Sequence, residues 1–268
     1  SSVAANNATT FNYGDHFLQK ADLRLPVTSI NDPLPAPVIV VIHGGCWTTS
    51  LASYRIMDEL SDAITALGYA TWNIEYRGIG SGGEWPIIFQ DVGMAVDYLR
   101  VVAQSHPIDI TRVATIGHSA GGHLALWAAS RKKINAESLI YSSDPLNIRG
   151  AISLAGVLDL TAVTACGNSG DAIIGEKVIR PDGTRTLRLN DTSPIHMLPA
   201  NIRSVIISGA IDSIVREHVG ISYSNAATIS GDASVHYTLQ GLGHFELINP
   251  SQTVWSLYQT SFEELLRD

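Results

Sequence analysis

The sequence predicts an α/β fold with a mostly parallel central sheet covered by helices on both faces, in one domain over 1–268. Three observations predict it. Short apolar segments of strand length alternate with helix-period segments along nearly the whole chain. The 268 residues are 45% hydrophobic and 16% charged, enough to bury one large core. Neither an internal repeat nor a low-complexity linker divides the chain.

The elements follow in order. Segment 18–25 reads as the first strand and 38–43, with its aliphatic run from Val38 to Ile42, as the second. A helix is expected over 53–67, with Ser50 or Ser53 as its cap and Gly68 closing it before a strand at 69–76. Trp85-Pro86 suits the first turn of a helix over 86–105. The β-branched segment at 113–117 leads into a small, apolar helix over 120–130, the composition of a helix buried on all sides. Strands at 150–154, 204–208 and 235–239 alternate with helices at 215–229 and 250–267. Between 156 and 202 the signals are mixed and turn-rich, so a cap or lid insertion is expected there. It carries Lys177, Arg180, Arg185 and Arg188, read as a solvated surface, with a site for a substrate carboxylate as the sharper alternative.

The junction after 113–117 is Gly117-His118-Ser119-Ala120-Gly121, which fits the G-x-S-x-G nucleophile elbow. A serine on such a bend is strained with Oγ projecting outward, and small residues at 117 and 121 let strand and helix approach. The bland alternative is a close-packed junction with Ser119 as a helix cap. Further matches in the required chain order weigh against it. A serine hydroxyl is a weak nucleophile at neutral pH; it needs a base, and the base needs an acid to orient it. Asp212 lies just past 204–208, at the sheet edge where open α/β folds bind ligands, and is the expected acid. His244, in Gly241-Leu242-Gly243-His244, is the expected base. His118 and His123 flank the serine on the same elbow and helix and are expected to pack or hydrogen-bond locally. Asp159 is the rival acid, read as a capping residue at the start of the insertion.

His43-Gly44-Gly45-Cys46-Trp47 follows the second strand. Acyl transfer develops negative charge on a carbonyl oxygen, which preorganised backbone amides stabilise. The amides of Gly45, Cys46 and Ala120 are the expected oxyanion hole, with Gly44 shaping the turn and His43 buttressing it. Trp47, Trp85 and Phe245 adjoin these residues and are expected to line the substrate pocket. Gly78 to Gly83 satisfies G-x-G-x-x-G, but Glu84-Trp85-Pro86 delays the helix, so a loop is expected rather than a dinucleotide site. With no His-Glu-x-x-His and no Cys-x-x-Cys, neither a metal nor another cofactor is expected.

Lys and Arg total 17 against 25 Asp and Glu, a net charge of −8, which argues against nucleic acid and anionic membranes as partners. A small-molecule ester or amide is the expected partner, with a homodimer left open. Cys46 and Cys166 are too few for a disulfide framework or a thiolate cage. Reduced cysteines in a cytoplasmic protein are therefore expected, with secretion or periplasmic export after processing as the alternative.

With these residues in view, the chain resembles the α/β-hydrolase superfamily, and within it the hormone-sensitive-lipase-like and kynurenine formamidase-like esterases. The resemblance rests on His43 to Trp47, Asn73-Ile74-Glu75-Tyr76-Arg77, Trp85-Pro86 with Asp91, Gly117 to Gly122, Gly209 with Asp212, and Gly243-His244. Cys46 stands where His-Gly-Gly-Gly esterases carry their third glycine, which is closer to the formamidase and feruloyl-esterase-like branches. The resemblance implies an α/β-hydrolase fold and a Ser119, Asp212, His244 triad in a carboxylesterase that cleaves short acyl or aryl esters through an acyl-enzyme. An arylformamidase is the runner-up. A catalytically silent hydrolase fold used for binding is the reading from another class.

Overall fold

A computed structural model describes residues 7–27, 35–250 and 254–266. Its strands are β1 (Ala8–Asn12), β2 (Lys20–Arg24), β3 (Ala36–Ile42), β4 (Ala70–Ile74), β5 (Ile108–His118), β6 (Gly150–Leu154), β7 (Arg203–Gly209) and β8 (Ser234–Leu239). They form one sheet in the order β1-β2-β4-β3-β5-β6-β7-β8. The β1–β2 and β2–β4 pairs are antiparallel, and all pairs from β4 through β3 to β8 are parallel. This is the mostly parallel α/β sheet that the alternating pattern predicts, and it agrees with the α/β-hydrolase fold that the resemblance implies.

The helices are α1 (Asp58–Ala66), α2 (Ile87–Asp97), α3 (Leu99–Val102), α4 (Ala120–Ala129), α5 (Ser169–Ile174), α6 (Leu189–Thr192), α7 (Glu217–Ile229) and α8 (Trp255–Leu266). Val38 to Ile42 are fully buried in β3, and every residue of α4 is buried. Burying an aliphatic side chain of this size contributes about 1.5–3 kcal/mol, so β3, β5 and α4 form a stiff frame. In the parallel register Ile42 lies beside Gly117, Gly117 beside Ser153, and Leu154 beside Ile207. The loops that leave β3, β5, β6 and β7 therefore start side by side on one rim.

Several expectations need correction. The first strand is β1, not 18–25; its Ala8-Thr9-Thr10-Phe11-Asn12 is polar and half-exposed, because an antiparallel edge strand has little core to face. Thr10 Oγ1 donates to Asp22 Oδ1 at 2.7 Å and ties that edge down. β5 starts at Ile108, before the β-branched run, because its early part pairs with Ala36 and Pro37 ahead of a register shift. The helix expected over 53–67 divides into a 3-10 turn, Tyr54–Met57, with Ser53 accepting from the Arg55 amide, and α1. Likewise 86–105 divides into α2 and α3, and Pro86 is the residue before α2 rather than inside its first turn. Of the helix expected over 250–267, residues 251–253 and 267 lie outside the described residues.

Candidate active site

The nucleophile elbow is built by close approach. Ser119 has φ 57 and ψ −120, a left-handed conformation costly to a residue with a Cβ. Its amide donates to Leu154 O at 2.9 Å, and its carbonyl accepts from His123 N and Val157 N, so neighbouring strand and helix enforce the bend. A Cβ at Gly117 would sit 2.0 Å from Gly121 O, and one at Gly121 would sit 2.1 Å from Ile42 O. Only glycine lets α4 start this close to β3 and β5.

The expected acid and the expected base meet. Asp212 Oδ2 lies 2.7 Å from His244 Nδ1, while Asp212 Oδ1 accepts from the amides of Ile214 and Val215 at 2.8 and 2.9 Å. Burial raises the Asp212 pKa, but the hydrogen bond from the His244 ring and those two amides outweigh it and hold the carboxyl below its ordinary value. An ionised Asp212 makes His244 Nδ1 the donor, which leaves the Nε2 lone pair to accept. Gly209 allows the acid loop to rest on the base loop, since a Cβ there would meet Leu242 O at 2.5 Å.

His118 anchors the loop of His244. Its Nε2 donates to His244 O at 2.7 Å, and the two rings lie 4.6 Å apart. Burial, reinforced by the neighbouring His244 ring, pushes the His118 pKa down to about 4, so His118 is a neutral donor. The serine's neighbour on the elbow thus pins the backbone of His244 across 126 positions of sequence. Among the described residues no hydrogen bond joins Ser119 Oγ to the His244 ring. Asp159, the rival acid, accepts from Thr161 N and Thr161 Oγ1 as a capping residue does.

The 43–47 loop packs against the elbow, for a Cβ at Gly44 would lie 2.6 Å from His118 O and 3.0 Å from Ser119 Cβ. Gly45, Cys46 and Trp47 all have positive φ, at 108, 50 and 57. The amides of Gly45, Cys46 and Ala120 make no hydrogen bond among the described residues, so N–H donors beside Ser119 are free to receive an anion. Two buried pairs support the loop. His43 Nε2 lies 2.6 Å from Glu75 Oε1, with Tyr76 stacked on the His43 ring and its hydroxyl donating to His43 O. Trp47 Nε1 donates to His123 Nδ1 at 2.9 Å, and His123 Nε2 donates to Thr192 O at 2.7 Å. Nδ1 can accept from Trp47 only on a neutral His123, and burial lowers its pKa to about 4.

The aromatic residues part company. Phe245 is 65% exposed with its ring 5.1 Å from that of His244. Trp47 is only 2% exposed and belongs to the core, although one edge borders a cavity of about 290 Å³ that Val157, Leu160 and Val163 also line. Trp85 lies half-buried beneath the Arg188 guanidinium, 4.4 Å from its ring centre. The four cations of the insertion do not form a free patch. Lys177 pairs with Asp171, Arg180 and Arg188 with Glu176, and Arg185 Nη1 donates to His196 Nε2. The glycines from 78 to 83 form a loop pinned by Ser81, whose Oγ bonds Thr49 Oγ1 and accepts from Gly78 N.

The expectation of two reduced cysteines is overturned. Cys46 and Cys166 form a disulfide, with Cα atoms 5.4 Å apart and 120 positions of sequence between them. Spacing in the chain carries no sign that the β6–β7 insertion folds back over the 43–47 loop. Among the described residues no group of three or more His, Cys, Asp or Glu is placed to hold a metal, and no helix is long and apolar enough to cross a membrane.

Known esterases share both sequence and architecture with this chain. It is 26% identical over 230 residues to Esterase LipC of Mycobacterium tuberculosis, covering 82% of this chain and 55% of LipC. It is 27% identical over 256 residues to Acylamino-acid-releasing enzyme 2 of Oryza sativa subsp. japonica, covering 84% of this chain and 32% of that protein. The chain therefore spans about half or less of the length of these curated relatives. A carbohydrate esterase from gut microbiota, in truncated form, superposes with a TM-score of 0.80 at 20% identity over 99% of both chains. A thermophilic esterase of the Planctomycetes species Thermogutta terrifontis does so with a TM-score of 0.76 at 18% identity, over 97% of this chain and 93% of that one. Likeness at such identities shows the fold. The family model named BD-FAE matches residues 22–225, and the chain belongs to that family.

Proposed function

We propose that this chain is a serine carboxylesterase that hydrolyses esters of short acyl or aryl acids through an acyl-enzyme. The observation that carries the reading is the 2.7 Å contact between Asp212 and His244, whose backbone the nucleophile's own neighbour, His118, holds in place. His244 Nε2 takes the proton of Ser119 Oγ as Oγ attacks the ester carbonyl, the two side chains drawing into hydrogen-bond contact when substrate fills the site. The oxyanion is received by the amides of Gly45, Cys46 and Ala120, which are already fixed and unpaired. His244 then protonates the leaving alcohol, and in the second half-reaction it activates water against the acyl-enzyme. Asp212 keeps the Nδ1–H tautomer throughout and stabilises the imidazolium. Phe245, exposed beside the imidazole, supplies an apolar surface for the acyl or aryl group. The 156–202 insertion caps the site. The proteins compared above supply no support for the arylformamidase reading.

Ser119→Ala tests the proposal. Turnover of p-nitrophenyl acetate is expected to fall by about 10⁴-fold or more with an unchanged melting temperature, and labelling by a fluorophosphonate to vanish. Retained turnover or labelling would mean a different nucleophile.

A further inference from the structure

The 43–47 loop carries three consecutive residues at positive φ, and two of them, Cys46 and Trp47, are not glycine. Such conformations persist only where the surroundings enforce them. Trp47 has its enforcement in the indole hydrogen bond to His123. Among the described residues Cys46 has only the Thr48 Oγ1 contact to its carbonyl, at 3.1 Å and local to the turn, and one long-range tie, the disulfide to Cys166. Cys166 is rooted in turn: its carbonyl accepts from the amide of Ser169, the first residue of α5, and it borders the same 290 Å³ cavity as Trp47 and Val157. Both sulfur-bearing residues are half-buried, and the residues on either side of Cys166 are exposed, so the bond lies close to the surface.

We propose that Cys166 is a positioning residue: through its disulfide it holds the Cys46 amide where the oxyanion forms, so that turnover depends on the oxidation state of this one bond. The inference rests on the esterase reading above. A dithiol reductant switches the enzyme down. Its thiolate attacks one protein sulfur, the S–S bond breaks as a mixed disulfide forms, and the reductant's second thiol closes a cyclic disulfide. Both protein cysteines leave as thiols carrying the two protons, and the dithiol is the species oxidised. Cys46 is then free to relax toward negative φ, which turns its amide away from the position it holds in the tied loop. The fold has further supports under the loop, His43–Glu75 and Trp47–His123, so the loss falls on the transition state ahead of the fold.

The experiment compares oxidised wild type, wild type reduced with dithiothreitol and capped with iodoacetamide, and Cys166→Ala, all assayed well below their melting temperatures. Loss of one oxyanion donor lowers turnover by about 10²–10³-fold, and a loosened donor is expected to cost at least about 10-fold in kcat, with KM changed by less than about 3-fold. The Ki of a trifluoromethyl ketone, whose hemiketal oxyanion needs the same amide, is expected to rise in step with the fall in kcat/KM. A merely structural staple would leave that Ki and kcat alone in any fraction that stays folded. Dithiothreitol is expected to leave Cys166→Ala unchanged. If oxidised wild type turns over and the reduced protein matches it within about 2-fold while folded by near-ultraviolet circular dichroism, the inference falls alone. If oxidised wild type shows no ester turnover, the esterase reading falls and takes this one with it. Should Cys166→Ala not fold, the reduced and capped wild type decides between the same two outcomes.

Discussion

The elbow makes a prediction in which one substitution has opposite signs at two glycines. Gly→Ala inside a helix ordinarily stabilises by about 0.5–1 kcal/mol, because alanine loses less backbone freedom on folding. At Gly170, in α5, the nearest atom to a new Cβ is 3.8 Å away, in Val178, which is ordinary contact. Gly170→Ala is therefore neutral or stabilising. At Gly121, in α4, the new Cβ would lie 2.1 Å from Ile42 O and 2.5 Å from His43 O, both backbone atoms of the central sheet and its loop. Relief to about 3.4 Å needs α4 to withdraw by about 1.3 Å, and overpacking a stiff core costs about 3 kcal/mol where nothing flexible can give. After the helix-propensity gain, a net loss of about 2 kcal/mol or more remains. At about 2–4 °C per kcal/mol for a chain of this size, the melting temperature falls by about 4–8 °C. The withdrawal also carries Ser119 away from Gly44, so p-nitrophenyl acetate turnover should fall with it. Thermal unfolding by circular dichroism checks the pair. If Gly121→Ala melts at or above the wild-type temperature, the claim that glycine is needed for strand and helix to meet is wrong.

The remaining predictions concern the acid, the anchor and the buried histidines. Asp212→Asn is expected to lower kcat by about 10⁴-fold, equivalent to about 5 kcal/mol of transition-state stabilisation, because the asparagine no longer holds the Nδ1–H tautomer of His244. A fall of less than 10-fold in steady-state kinetics would remove Asp212 from its role. His118→Leu breaks the hydrogen bond to His244 O and should lower kcat/KM by about 10-fold, the equivalent of one buried hydrogen bond, while His118→Gln, still a donor, recovers part of it. Equal values for the two variants would refute the anchoring role. Buried His118 and His123 have folded pKa values of about 4, below the free imidazole value of about 6.5, so as pH falls the unfolded chain takes up protons first and stability declines between those limits. Half-buried His196 and His236 are lowered in the same direction by burial, whereas the depressed Asp212 carboxyl loses its contribution only at more acid pH. Urea unfolding at pH 5.5 should show at least about 2 kcal/mol less stability than at pH 7.5, about 1 kcal/mol for each of His118 and His123. Equal midpoints would mean that these rings are not buried as neutral groups.

Much of this protein is written locally. The β-branched runs at 38–42 and 113–117, the all-apolar stretch after Ser119, and glycines 117, 121 and 209 each state a nearest-neighbour requirement: which segment is buried on both faces, and where two backbones touch. Such requirements act over a few residues, so the sheet, the elbow and the loops that leave its rim are legible without coordinates. Asp212 and His244 could be named because each sits in a loop directly after a recognisable strand. Edge strand β1 escaped, since an antiparallel edge with a wet face lacks the apolar run that marks the centre of the sheet.

Only the tertiary structure decided which distant side chains face one another. Cys46 meets Cys166, His118 reaches the carbonyl of His244, and the Trp47 indole bonds His123. Each contact joins residues that no local propensity couples. Each depends on the path of the 156–202 insertion or on the rotation of α4 against the strand ends, which are set by packing of the whole core. A hydrogen bond or a disulfide forms where two groups are brought within about 3 Å or a Cα spacing near 6 Å, and sequence spacing says nothing about that distance until the chain has folded.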